Sequence, residues 1–124
     1  MSYTNVKNQL YHGHRKIANN TYLTLTDAYD QPGMLRSECI EMRLHGNLIA
    51  RFHPDYLELY SAGWHTQTTK DRLNLALDIA LVAGRKIYQS SQQWYYGDLY
   101  HEGDLAFREG MKVDYQGNVI LQGA

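Results

Sequence analysis

Arg43-Leu44-His45-Gly46-Asn47-Leu48-Ile49-Ala50-Arg51-Phe52-His53-Pro54-Asp55, followed by Ala62-Gly63-Trp64-His65-Thr66-Gln67-Thr68-Thr69-Lys70-Asp71-Arg72-Leu73-Asn74, holds hairpin turns, two aromatic and basic clusters and a helix start. On the strand that enters it, Ile40, Met42 and Leu44 face one way and Glu41, Arg43 and His45 the other, the period of a half-buried strand. Gly46-Asn47 suits a tight hairpin turn, because both residues tolerate positive φ. Leu48 to His53 returns, with Leu48, Ala50 and Phe52 opposed to Ile49, Arg51 and His53. Pro54-Asp55 turns once more, and Tyr56 to Tyr60 continues with Leu57 and Leu59 inward. The expectation is an antiparallel meander with one apolar face and one face carrying Arg43, His45, Arg51 and His53.

Outward from that stretch, Ile17 to Leu25 turns on Asn19-Asn20 and then alternates Thr21, Leu23 and Leu25 against Tyr22, Thr24 and Thr26, a further strand. Met1 to Lys16 reads as a polar arm, and Asp27 to Ser37 as a loop turning on Pro32-Gly33. Downstream, Thr68 is an expected N-cap, with Asp71 where the reciprocal carboxylate of a capping box belongs. Leu73, Leu77, Ala80, Leu81, Gly84, Ile87 and Tyr88 then fall on one helical stripe, so the spacing predicts a long helix over 68–93. From Trp94 to Gly103 the chain is aromatic and broken by glycines, which fits either an ordered stacking loop or an apolar seal between helix and sheet. Asp104 to Arg108 reads as a short helical turn closed by Gly110, and Lys112 to Tyr115 with Val119 to Leu121 as a terminal hairpin. The fold class is α+β in one domain, 1–124, divided into an arm (1–16), a β-meander (17–66), a long helix (68–93) and an aromatic loop, short helix and hairpin (94–124).

A chain of 124 residues has the length of one ordinary domain. Its net charge of −1 argues against a protein whose main partner is an extended nucleic acid, since such affinity comes from many Lys and Arg neutralising phosphates together. Cys39 is the single cysteine, which excludes an intrachain disulfide and suits a reducing compartment. No apolar run approaches the length of a membrane span, and the N-terminus lacks the pattern of a signal peptide. The expectation is a soluble protein. Eleven tyrosines against two Trp and two Phe lean toward a binding or oligomer surface, or toward half-buried core positions.

Phosphate-binding glycine loops, nucleophile elbows and His-Glu-x-x-His pairs are all missing from the sequence. His12-Gly13-His14 offers two imidazoles without a further ligand, and His45, His53 and His65 with Asp55 form a metal nuclease only if strands bring them together. The reading is therefore of no enzyme, no metal and no cofactor. What the sequence does supply is the recipe for anion and ring recognition, in which guanidinium forks hold phosphate and aromatic rings stack on bases. One candidate cluster is Arg43, Arg51, Trp64, His65, Lys70 and Arg72, beside a helix start whose amides attract anions. The other is Trp94, Tyr95, Tyr96, His101, Phe107 and Arg108.

Ile17-Ala18-Asn19-Asn20-Thr21-Tyr22, Arg43-Leu44-His45, Phe52-His53-Pro54-Asp55, Gly63-Trp64-His65-Thr66 and Thr68-Thr69-Lys70-Asp71-Arg72-Leu73-Asn74 together resemble a recurrent pattern of small bacteriophage proteins. It covers about half of the chain. Size and layout resemble the Thoeris anti-defence sponge family of phages, whose members bind cyclic ADP-ribose signals and so starve an immune effector. That resemblance implies a non-catalytic homo-oligomer, in the cytoplasm of the infected host, that sequesters glycocyclic ADP-ribose isomers, and by extension cyclic oligonucleotides, in pockets at subunit contacts. It also implies a phosphate-binding role for Arg108 within Phe107-Arg108-Glu109-Gly110. Two alternatives stand beside it: a phage inhibitor that contacts a host defence protein directly, and a small His-dependent nuclease or phosphodiesterase.

Overall fold

The structure, a computed structural model, describes residues 2–28, 37–82, 84–98 and 103–123. It is α+β. A short helix α1 (Ser2–Lys7) is followed by β1 (His14–Ala18), β2 (Thr21–Ala28), β3 (Ser37–Leu44), β4 (Asn47–Phe52) and β5 (Tyr56–Leu59). Helix α2 (Gln67–Ile79) comes next, and then β6 (Lys86–Ser90), β7 (Gln93–Gly97), β8 (Leu105–Ala106), β9 (Met111–Asp114) and β10 (Val119–Leu121). Among the described residues seven strands form one antiparallel sheet in the order β1-β2-β3-β4-β5-β9-β10, and β6-β7-β8 form a second. Of the loop expected over Asp27 to Ser37, Asp27 and Ala28 belong to β2 and Ser37 to β3, and residues 29–36, with Pro32-Gly33, lie outside those described.

Two cross-strand rows make the apolar face of the large sheet. Leu23, Met42, Ala50, Leu59 and Met111 stand side by side in register, and so do Leu25, Ile40, Phe52, Leu57, Val113 and Val119. Leu73, Ala76 and Leu77 of α2 are buried with them, as are Tyr3 and Val6 of α1. Removing these side chains from water drives the layers together, at about 25 cal/mol per Å² of apolar surface. Asn5 Nδ2 donates to the carbonyl of Ile79 at 3.0 Å, which fastens α1 to the end of α2.

Helix α2 is shorter than the periodicity predicts, and the expected helix over 68–93 is corrected to a helix and a β-hairpin. Its N-cap is Thr66 rather than Thr68: Thr66 is extended, and its hydroxyl accepts from the amide of Thr69 at 3.2 Å. Its end is a Schellman arrangement, in which Leu81 N–H bonds to Asp78 O and Val82 N–H to Leu77 O, at 3.0 and 2.9 Å. Leu81 takes the left-handed conformation there (φ 61°), a place usually held by glycine. Gly84, expected on the helical stripe, sits instead in the turn that leads to β6. Asn74 of α2 then catches that strand, donating to Ile87 O at 2.9 Å and accepting from Ile87 N at 2.7 Å.

The aromatic segment expected as a loop from Trp94 to Gly103 begins as a strand, β7, which runs to Gly97, while residues 99–102 lie outside those described. Ile87, Trp94 and Tyr96 fill the buried face of the small sheet, while Tyr88 and Tyr95 stack on the other face with centroids 5.7 Å apart. The expected helical turn at Asp104 to Arg108 is also corrected: Leu105–Ala106 pairs with β7 as β8. The terminal hairpin forms as β9 and β10. The arm drawn over 1–16 contains α1 and also the start of β1.

Candidate functional site

A cleft of about 480 Å³ opens where the β3–β4 turn, the loop after β5 and the first turn of α2 meet. Its apolar lining includes Leu44 and Ile49, both buried, and the ring of Trp64, which is 61% exposed. Its polar lining comes from His45 and Asn47 on the turn, Ser61 on the loop, and Thr66, Thr68 and Thr69 at the helix start.

Local chemistry builds each wall. The hairpin turn is His45-Gly46, with φ of 52° and 82°, one residue earlier than the Gly46-Asn47 that composition suggests. Both central residues of a type I′ turn need positive φ, and the right-handed twist of the strands favours that turn. Opposite Met42 and Arg43 the register shifts, so that Ala50 and Leu48 pair while Ile49 is left over as a bulge. The loop after β5 is clamped by Glu109, whose carboxylate accepts from Ser61 N at 2.7 Å and from Ser61 Oγ at 2.8 Å.

Among the described residues no Lys, Arg, Asp or Glu lines the cleft. Its chemistry suits a flat, uncharged, heteroaromatic group: an exposed indole to stack on, aliphatic side chains beneath, and hydroxyl and amide groups to meet polar edges. The amides of Gln67 and Thr68 lie before the first intrahelical bond and point toward the helix start, where negative charge is favoured.

The two predicted clusters touch. The imidazole of His65 stacks on Trp94, Lys70 Nζ lies 5.9 Å from the Trp94 centroid, and Phe107 tilts against the same indole at 5.8 Å. Trp94 is buried, so its ring packs more than it presents. Tyr96 is buried as well and donates to Gly117 O at 2.9 Å; burial raises its phenol well above the ordinary value. Tyr95 is committed to Tyr88. Arg108 is exposed in the segment between β8 and β9 and is not part of the cleft lining. His101 lies outside the described residues.

The sheet-face arginines are held by carboxylates. Glu41 accepts from Arg43 Nη2 at 3.1 Å and from Arg51 Nε at 3.4 Å, and Arg43 Nη1 donates to Gly46 O at 3.0 Å. Burial works against the charge of Arg51, and its hydrogen bond to Glu41 with the nearby Glu58 outweighs that and raises its pKa. Arg72 reaches the other way, donating from Nε to Thr21 Oγ1 at 2.9 Å and tying α2 to the first hairpin.

The three expected nuclease histidines separate. His45 is exposed on its turn and His65 is stacked on Trp94. His53, expected on an open face, is buried: it stacks on Tyr56 and hydrogen-bonds Glu58. That bond is the first cause, ahead of the Tyr60 hydroxyl at 2.6 Å, that holds the Glu58 carboxyl down at about 2. Among the described residues no group of three His, Cys, Asp or Glu side chains could hold a metal ion. Sequence reasoning missed Glu58, Ser61, Asn74 and Glu109. Only the alternation that sets Glu58 between Leu57 and Leu59, on the same face as Arg51, could have singled one of them out.

No described helix is long and apolar enough to cross a membrane. Comparison with curated proteins and comparison with solved structures each return no match. The model of one protein family, described as the Kyanoviridae Gp96 protein, matches residues 2–117, a span that runs from α1 through β9. This chain therefore belongs to the Kyanoviridae Gp96 family of bacteriophage proteins.

Proposed function

We propose that this phage protein binds a cyclic nucleotide immune signal in the cleft beside Trp64 and sequesters it uncleaved, in the cytoplasm of the infected host. The observation that carries the reading is the cleft itself: about 480 Å³, walled by an exposed indole and lined by hydroxyl, amide and aliphatic groups without a formal charge. Such a lining takes the base of a nucleotide, by stacking on its face and hydrogen-bonding its edge. The phosphates then extend along the helix start, toward the free amides of Gln67 and Thr68 and the ammonium of Lys70. Glycocyclic ADP-ribose, which joins an adenine to a diphosphate, has both parts, and cyclic oligonucleotides offer bases and phosphodiesters. Among the described residues a histidine, His45, is the one titratable side chain in the lining, where acid–base cleavage would call on two.

In this reading the working unit is a homo-oligomer, and Arg108 meets phosphate from a neighbouring copy. The test is calorimetric titration with cyclic ADP-ribose isomers and cyclic dinucleotides, with mass spectrometry of the small molecules released by heating. Intact ligand recovered after incubation, and affinity lost by tenfold or more in Trp64→Ala, is the expected result. A cleaved product would overturn sequestration in favour of the nuclease. No heat with any of these ligands would favour direct contact with a host defence protein, for which Ile120 and Leu121, exposed on the outermost strand β10, offer an apolar edge.

A further inference from the structure

The sheet carries a second aromatic and basic group near its β1 edge, and it shares no residue with the cleft. Directly paired residues of an antiparallel ladder point to the same face. Lys16, Tyr22 and Arg43 therefore form one row across β1, β2 and β3, and His14, Thr24 and Glu41 form the adjoining row. Tyr22 is 39% exposed, and its ring lies on the imidazole of His14, with centroids 5.5 Å apart and planes 19° from parallel. A cation stands on each side of that exposed ring, Lys16 on the edge strand and Arg43 on the inner one. Just before β1, Tyr11 is 78% exposed and stands edge-on to His12 at 4.3 Å.

We infer that this face binds a short run of single-stranded polynucleotide. One exposed ring on a strand with a cation on either side, and a second exposed ring just before the edge strand, match a chain that alternates flat bases with phosphates. One base stacks on the Tyr22 ring and a neighbouring base on Tyr11, while Lys16 and Arg43 meet the phosphates between and beside them. Arg43 is shared with Glu41, which lowers the charge it offers and keeps the contact weak. The net charge of −1 opposes a long backbone track; it does not oppose two phosphates on one local patch. A duplex buries its base faces in its own stack and has none to give to Tyr22.

The experiment is fluorescence anisotropy with labelled oligothymidylate and oligouridylate of about ten nucleotides, at several salt concentrations. Expected are dissociation constants of about 1 to 100 µM at low salt, and a slope of log affinity against log salt near −1.4, the value for about two phosphates on a single strand. Tyr22→Ala should weaken binding about tenfold or more, the loss of one stacked base, while Tyr22→Phe, which keeps the ring, should bind like the parent. Lys16→Glu should weaken binding and flatten the slope by about 0.7 or more. Tyr22→Ala should leave cyclic-nucleotide affinity at the cleft unchanged, since Tyr22 does not line it, which separates this face from the cleft. The inference is overturned by no detectable binding at low salt, by parental affinity in Tyr22→Ala, or by a duplex of the same sequence binding as tightly as the single strand.

Discussion

The imidazole of His65 lies on the indole of Trp94, with ring centroids 4.7 Å apart and planes 25° from parallel, so the loop before α2 is stacked on the second sheet. Trp94 is buried and His65 is exposed, which makes the pair asymmetric in energy. Trp94→Ala is expected to cost on the order of 3–5 kcal/mol, as large-to-small core substitutions do. His65→Ala should cost about 0.5–1.5 kcal/mol, the worth of one ring contact. Urea denaturation of the two variants checks the ratio; equal losses would show that the stack, and not the burial of the indole, holds the loop.

Arg108 and Trp64 separate the cleft of one chain from any site completed by a second copy. Trp64 lines the cleft and Arg108 does not. Arg108→Ala is expected to lower nucleotide affinity, because in the proposed oligomer Arg108 meets phosphate from a neighbouring copy, and unchanged affinity would show that one chain is sufficient. A loss of about tenfold, 1.4 kcal/mol, would place a neighbouring protomer over the cleft, and light scattering should then give an oligomer mass.

Glu58 sets an acid limit to stability. Its folded carboxyl, held at about 2 by His53 and then by Tyr60, lies below the ordinary 4.5. A depressed carboxylate contributes fully above its unfolded pKa, and that contribution is lost as pH falls from about 4.5 toward about 2. Glu58→Gln removes the charge at every pH. It should lower stability at neutral pH by on the order of 1.5 to 3 kcal/mol, the range for a charged hydrogen bond, and give a shallower decline in acid. Melting temperatures from pH 7 to 2 test this, and parallel curves for parent and variant would refute it.

Asn74→Ala exchanges a poor helix former for the best one, so helix propensity alone predicts a gain. The side chain also satisfies both the N–H and the C=O of Ile87, whose own side chain is buried. Orphaning them should cost on the order of 1–3 kcal/mol for each group that water cannot reach. A net loss in chemical denaturation, with hydrogen exchange quickened at the Ile87 amide, is the expected result.

The meander was legible because its apolar residues alternate with period two from Ile40 to Leu59 and its turns carry Asn20, Gly46 and Pro54. The end of α2 was hidden. Leu81 stops the helix from a left-handed conformation, and Ser91 and Gln92 turn the β6–β7 hairpin with φ of 51° and 67°, all without the glycine or asparagine that usually marks such places. Ile87 and Tyr88 happened to continue the helical stripe. In the candidate site, Trp64 and the helix start could be read from composition, and so could the aromatic character of Trp94. The cleft floor at Leu44 and Ile49 could not, because the bulge that turns Ile49 out of register leaves no trace in a hydrophobic pattern. The same limit hid the Glu109 clamp, which joins residues 48 positions apart.

The pairing of β5 with β9 has a consequence during synthesis. Strands β1 to β5 are consecutive neighbours and can assemble as the ribosome delivers them, but the far edge of β5 waits for Met111–Asp114, after α2 and the whole second sheet have emerged. Until then Leu57 and Leu59 sit on an open strand, the kind of edge that recruits other chains. Non-local pairing of this sort is slow, and here it cannot begin before Met111–Asp114 has been made. A nascent chain truncated before Met111 thus carries the meander with an unsealed border, and a late stop codon would convert a folding intermediate into a seed for aggregation.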